Sequence, residues 1–142
     1  AQRNADAADI FDALALGARR GRRRRGACAG VLHAFDYVLL LGDLNYRVAI
    51  NDRRRVEALC AARRFAELRS ADQLAREAAA ARFARAFAEG RVHQFAPTYR
   101  YERNSDSYSQ QVKAHLRVQN VPSWCDRVLW RAAPGRRLEL LD

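Results

Sequence analysis

Apolar and polar positions alternate along the chain in a way that marks out its elements one by one. Ala7, Ile10, Phe11 and Leu14 recur at helical spacing, so residues 3–17 read as a helix with Asn4 as its cap. Polar positions then take over in an arginine run at 19, 20 and 22–25. The most apolar segment follows, FDYVLLLGDLNYR from Phe35 to Arg47. Tyr37 to Leu41 is short, nearly uncharged and closed by Gly42, which predicts a strand buried on both faces. Next, Asp52 can cap an amphipathic helix to about Ala66, with Val56, Leu59 and Cys60 facing inward. Ser70 to Gln73 reads as a capping box for a further helix that carries Leu74, Phe83 and Phe87 and is ended by Gly90. Helical periodicity stops at Arg91. Val92–Tyr101 is expected to be extended, and the polar Glu102–Gln111 to be an exposed loop. Arg127–Arg131, with Asp126 at its start, predicts a second strand. Strands and helices in this mixture place the chain in the α/β class.

The chemistry gathers at the end of the first strand. Asp43 and Asn45 stand two positions apart, and in an extended segment their side chains would point the same way. A carboxylate can orient or deprotonate a water, and an amide can hold that water or a developing oxyanion. Arg47, just behind them, can grip phosphate in a bidentate fork. The same six residues also make an ordinary surface turn, since Gly, Asp and Asn are turn residues.

Composition narrows the picture. At 142 residues the chain holds at most one domain, and a formal charge of +10 favours a polyanionic partner: nucleic acid, an anionic membrane or a phosphorylated small molecule. All but Lys113 of the 26 basic residues are arginine, which with the abundant alanine also fits a GC-rich coding sequence. The arginine run reads as a solvated basic loop, with a nuclear-import, phosphoinositide or nucleic-acid patch as the alternative. Cys28, Cys60 and Cys125 are odd in number and widely spaced, which argues against a disulfide framework and a zinc site and fits a reducing compartment. No apolar stretch approaches the ~18 residues of a membrane span.

Three segments, taken in order, carry a resemblance. GDLNYR (42–47) is followed by Phe87-Ala-Glu89-Gly90-Arg-Val92-His-Gln-Phe95-Ala-Pro97-Thr98-Tyr99-Arg100, and then by Pro122-Ser-Trp124-Cys125-Asp126-Arg127-Val-Leu-Trp130. With Asp72-Gln73-Leu74 between them and Arg3-Asn4-x-Asp6 at the start, the series resembles the inositol polyphosphate 5-phosphatases of the endonuclease/exonuclease/phosphatase superfamily.

The resemblance implies a part of a four-layer α/β/β/α sandwich, with residues 1–142 as the middle and C-terminal part of the catalytic domain and a basic loop inserted at 18–33. It implies a Mg²⁺-dependent phosphomonoesterase acting on the 5-phosphate of phosphoinositides or soluble inositol polyphosphates. Asp43 would activate the attacking water, Asn45 would hold that water and the scissile phosphate, and Asp126 would buttress a catalytic histidine. Tyr99 and Arg100 would contact a neighbouring 4-phosphate; the family usually carries lysine at the latter position. Arg127 would order the phosphate pocket, with Arg47 and Lys113 as further substrate-binding residues. None of His33, His93 and His115 falls at the family's catalytic histidine, and Cys125, Trp124 and Trp130 read as packing residues. The family's main metal ligands and its histidine would lie outside these residues, so the chain alone is expected to be inactive, poorly soluble and open at its sheet edges. A cytoplasmic enzyme at an anionic membrane surface, with no nucleic-acid partner, is the expected setting. The alternatives are a nuclease of the same superfamily acting on DNA, or a non-catalytic, arginine-rich phosphate-binding module.

Overall fold

The structure is a computed structural model that describes residues 35–80, 86–110, 112–113 and 118–141. The expected helix at 3–17, the basic loop at 18–33, Phe83, His33 and His115 lie outside the described residues. Strand β1 (Tyr37–Asp43) leads to helices α1 (Arg53–Ala61), α2 (Phe65–Ser70) and α3 (Gln73–Ala80). Short strands β2 (Ala88–Glu89), β3 (Val112–Lys113) and β4 (Val118–Gln119) follow, and β5 (Asp126–Ala132) comes last. The main sheet is antiparallel with order β1-β5-β2, so β5 is its middle strand, while β3 and β4 pair with each other. The strand expected at Arg127–Arg131, led by Asp126, is therefore present.

Cross-strand register explains which face is covered. Leu40 lies opposite Leu129, and both turn toward α3, where Leu129, Leu74 and Tyr46 form a buried cluster joined by Leu44, Ala78 and Phe87. Leu39 lies opposite Trp130 and Leu41 opposite Val128, on the other face. There Leu39, Leu41 and Val128 are 58%, 64% and 51% exposed. The expectation of a strand buried on both faces is thus corrected: among the described residues one face is covered by helix, and the other leaves Leu39, Leu41 and Val128 exposed beside a half-buried Trp130. An unbroken apolar run still needs two covering layers. The bare face is the side a second sheet occupies in a four-layer sandwich.

The second core forms under the helices, from Val48, Val56, Leu59, Cys60, Phe65, Leu68, Val92 and Trp124. Asp52 caps α1 as expected, its carboxylate accepting the Arg55 N–H at 3.1 Å. The single helix expected to reach Ala66 is broken, however. Arg63 takes a left-handed φ of 54°, and its N–H closes back on the Cys60 carbonyl. The break re-aims the chain so that Phe65 and Leu68 enter the core beside Val56 and Leu59; a straight helix would have carried them past it. The cap of α3 is also not the one expected. Ser70 ends α2 and donates to the Glu67 carbonyl, and Asp72 accepts the Ala75 N–H at 2.9 Å instead. Val92–Gln94 form a 3₁₀ turn where extended chain was expected, before Phe95 resumes it. The polar loop after Tyr101 is present, closed by stacked Tyr101 and Tyr108 rings 4.6 Å apart. Among the described residues no helix is long and apolar enough to cross a membrane.

Candidate functional site

The site is assembled where β1 ends and β5 begins. Asp43 and Asp126 are register partners across the two strands, and both are exposed. Two carboxylates directly opposite repel one another, so this position is set by something other than stability. Gly42, with φ 130°, adopts a conformation that favours glycine while still paired with Arg127, one residue before the strand ends at Asp43. The Asp43 carboxylate then accepts the Asn45 N–H at 2.8 Å, and Asn45 sits in the left-handed region at φ 55°. Asn tolerates that region better than other non-glycine residues. Asp43 and Asn45 are therefore brought together by a side-chain-closed turn, not by the strand alternation expected from their spacing.

Arg47 completes the loop. Its Nε donates to Asn45 Oδ1 at 2.9 Å, and Nη2 donates to the same oxygen. The guanidinium also lies 4.1 Å from the centre of the Tyr99 ring, a cation–π contact. Tyr99 is in turn held by its backbone, which exchanges hydrogen bonds of 3.0 and 2.8 Å with Ser123. Asp43, Asn45, Arg47 and Tyr99 thus form one connected group, with Asp126 across from it.

A tight backbone frame holds this loop. Leu44 N–H donates to the Cys125 carbonyl at 2.9 Å, and Val48 N–H to Ser123 Oγ at 3.1 Å. Gln73 clamps Arg47 from both sides: its N–H donates to the Arg47 carbonyl, and its side-chain oxygen accepts the Arg47 N–H. Ala49 N–H reaches the Ala71 carbonyl at 2.8 Å. The start of α3 and the segment before β5 therefore fix the loop on two sides.

Arg127 belongs to the support and not to the exposed surface. It is 2% exposed and donates to both Asp72 oxygens, at 2.9 and 3.1 Å, and to Glu89 at 2.5 Å. Arg69 joins the same two carboxylates from the far side. Burial pushes the Glu89 carboxyl up, against the opposing pull of Arg127 and Arg69. The Arg127 guanidinium is enclosed by carboxylates, a place from which it can order the site from beneath. Asp72, Gln73, Glu89 and Ser123 are the site's supporting residues that sequence reasoning missed. Asp72 and Glu89 could have been found as charges amid apolar neighbours; Gln73 and Ser123 fall within the segments that carry the resemblance, but nothing in the sequence marked their supporting role.

Arg100 is exposed, and its carbonyl accepts the Ser109 N–H. Lys113 lies on β3 in register with Val118. His93 lies on the 3₁₀ turn. Cys125 is fully buried, and burial pushes its thiol up to about 11; Asp43 and Asp126 add to that while Arg47 and Arg127 oppose it. Its packing role and that of the buried Trp124 agree with expectation, whereas Trp130 is half-buried. Cys60 and Cys125 are free.

The residues present fit a divalent cation only in part. Asp43 and Asp126 offer the hard oxygen donors that Mg²⁺ takes. Among the described residues, though, no three His, Cys, Asp or Glu side chains group into a metal site.

Comparison with known proteins places the whole arrangement. Residues 1–141 match the profile of Endonuclease/Exonuclease/phosphatase family 2. The chain is 40% identical over 107 residues to the Arabidopsis thaliana type I inositol polyphosphate 5-phosphatase 5, an alignment covering 75% of this chain and 19% of that protein. It is 36% identical to the human phosphatidylinositol 3,4,5-trisphosphate 5-phosphatase 2, covering 94% of this chain and 10% of that one. The chain thus spans a fifth or less of the length of these relatives. Among solved structures it is similar to the inositol polyphosphate 5-phosphatase domain of SPsynaptojanin in complex with inositol (1,4)-bisphosphate and a calcium ion. That likeness has a TM-score of 0.62 at 28% identity and covers 86% of this chain and 32% of the other. A Cimex nitrophorin, solved as its ferrous NO complex, is similar with a TM-score of 0.56 at 28% identity, over 70% of this chain and 32% of that one. One fold thus carries unlike functions, and activity must be argued from the site. The chain belongs to endonuclease/exonuclease/phosphatase family 2, and within it to the inositol polyphosphate 5-phosphatases.

Proposed function

We propose that the chain is part of the catalytic domain of a phosphomonoesterase that removes the 5-phosphate from phosphoinositides or soluble inositol polyphosphates. One observation carries the reading: Asp43, Asn45, Arg47 and Tyr99 are joined into a single group opposite Asp126. In the reaction a water oxygen attacks phosphorus in line, the bond from phosphorus to the inositol oxygen breaks, and the ring oxygen leaves and is protonated. Asp43 orients the water and takes up its proton. Asn45 donates from its amide nitrogen to the water and to the phosphate oxygens as charge builds there. Asp126 orients an imidazole, as carboxylates do in such pairs. Tyr99 and Arg100, with Lys113, meet a neighbouring phosphate of the inositol ring. Arg127 acts beneath them by holding β5 against α3 and β2.

A divalent cation of the Mg²⁺ class, when bound, neutralises charge on the phosphate oxygens. Asp43 and Asp126 carry carboxylate oxygens suited to it, and among the described residues they do not complete a shell. The relatives' names support a substrate among inositol phosphates and phosphoinositides, and the synaptojanin domain was solved with an inositol bisphosphate. The charge of +10 suits such substrates and an anionic membrane surface, to which a cytoplasmic enzyme would bind peripherally.

The test is phosphate release by the full-length protein from phosphatidylinositol 4,5-bisphosphate, beside abasic DNA, with and without Mg²⁺. Release from the lipid that Asp43→Ala abolishes supports the reading. Cleavage of DNA instead moves the protein to the nuclease branch, and turnover of neither leaves a phosphate-binding module.

A further inference from the structure

We infer that Arg47 is a positioning residue: it sets the orientation of the Asn45 amide and couples it to the Tyr99 ring, and does not itself grip substrate phosphate. The inference deepens the proposed phosphatase function and rests on it. A guanidinium only donates hydrogen bonds. With Nε and Nη2 of Arg47 both aimed at Asn45 Oδ1, the amide oxygen is committed, and the amide nitrogen with its two hydrogens is turned away from Arg47. That is the half of the amide a phosphate or water oxygen needs.

Three further contacts make Arg47 hard to move. Gln73 holds its backbone through both the N–H and the carbonyl, at 3.1 and 2.8 Å. The guanidinium carbon lies over the Tyr99 ring, 4.1 Å from its centre, so the ring holds the guanidinium from that side. On the Asn45 side, the backbone N–H is already tied to Asp43 Oδ1. The amide plane of Asn45 is thereby fixed from two directions, through its own main chain and through Arg47. A fork already engaged with an amide and held over a ring is poorly placed to close on a phosphate. Arg47 is half-buried, whereas Asn45 is exposed. Arg47 thus stands between Gln73 and the exposed Asn45.

The two roles separate in kinetics. If Arg47 positions Asn45, Arg47→Ala in the full-length protein lowers kcat about 10²-fold, the scale of a misplaced catalytic group, and leaves KM nearly unchanged. The Arg47→Ala/Asn45→Ala double variant is then no slower than Asn45→Ala alone, because the two act as one unit. Arg47→Lys fails to restore kcat, since an ammonium offers neither the planar fork nor the stacking plate. If Arg47 grips phosphate, KM rises instead, the losses multiply in the double variant, and lysine restores much of the binding. Any of those three results overturns the inference. Melting temperatures of the unmodified protein, the two single alanine variants and the double variant supply a readout apart from activity. The Arg47 and Asn45 shifts should be non-additive, and independent shifts would overturn the contact itself. Absence of turnover by the unmodified protein overturns the proposed function, and the catalytic part of this inference with it; altered KM with turnover intact overturns this inference alone.

Discussion

The Arg127 guanidinium meets the Asp72 carboxylate in two parallel hydrogen bonds of 2.9 and 3.1 Å, and neither side chain reaches solvent. The pair ties the middle strand to the cap of α3, and the Glu89 carboxylate joins it from β2. Removing one partner leaves a buried charge unpaired, so Asp72→Ala is expected to cost about 3–5 kcal/mol. Arg127→Lys should lose much of the same stability, because an ammonium cannot serve both carboxylates in one plane. Urea unfolding of the full-length protein checks both. Raised KM at an unchanged unfolding midpoint would instead place Arg127 on the substrate.

Asp43 and Asp126 face each other with like charge across β1 and β5, so activity and stability should move in opposite directions there. Asp43→Asn removes the proton acceptor and is expected to lower phosphate release by about 10²–10⁴-fold. The same change relieves repulsion and should raise the melting temperature. A variant that loses both activity and stability would mean that Asp43 serves the turn through its bond to Asn45 and little else.

Much of this was legible in the sequence, and the misses share one cause. The strands at Tyr37–Asp43 and Asp126–Ala132, the Asp52 cap and the polar loop after Tyr101 are local features, readable from spacing and residue type. The break at Arg63 is not, since Ala61-Ala62-Arg63-Arg64 are good helix formers; only the tertiary gain of burying Phe65 and Leu68 opposes them. In the site, motif letters marked Asp43, Asn45 and Asp126 but not what each side chain faces. Arg127 and Arg47 look equally fit to bind phosphate by type. Only packing shows the first enclosed by Asp72 and Glu89 and the second spent on Asn45 and Tyr99.

Arg100 is exposed beside Tyr99 and carries the charge proposed to meet a second ring phosphate. Arg100→Ala should raise KM for inositol phosphates bearing a 4-phosphate about tenfold, the scale of one charge-assisted hydrogen bond. Substrates without that phosphate should be affected far less. Equal loss on both kinds would assign Arg100 to general electrostatic attraction.

Cys125 sits beneath the site with its thiol pushed up by burial to about 11, from an ordinary 9.0. The folded form thus keeps a proton that the unfolded form releases. Its contribution is full below pH 9.0 and is lost as pH rises toward about 11. The loss amounts to roughly 2 to 3 kcal/mol. Unfolding midpoints across this range should fall, and Cys125→Ala should flatten that fall. Near neutral pH the native thiol should resist iodoacetamide, for it is neither ionised nor accessible. Rapid alkylation of the native protein would contradict its place under Asp43 and Asp126.

The bare face of the main sheet gives a test of the architecture. Leu39, Leu41 and Val128 stand together on that face, opposite the helices, at the same end of the sheet as Asp43 and Asp126. A contiguous apolar patch of this kind in a water-exposed sheet invites association between copies. In a four-layer sandwich it would instead be covered by the second sheet. Leu41→Ala separates the two situations. If the face is covered in the full-length protein, the change should cost about 2–5 kcal/mol, as for other buried leucines. If the face is solvated there, the cost should stay within about 0.5 kcal/mol. The isolated 142-residue chain should behave the other way: it should scatter light at micromolar concentration, less so when Leu39, Leu41 and Val128 are changed to threonine. Leu41→Ala that is silent in the full-length protein would show that the sandwich is not closed over this face, and that the open side of the sheet belongs to some other contact.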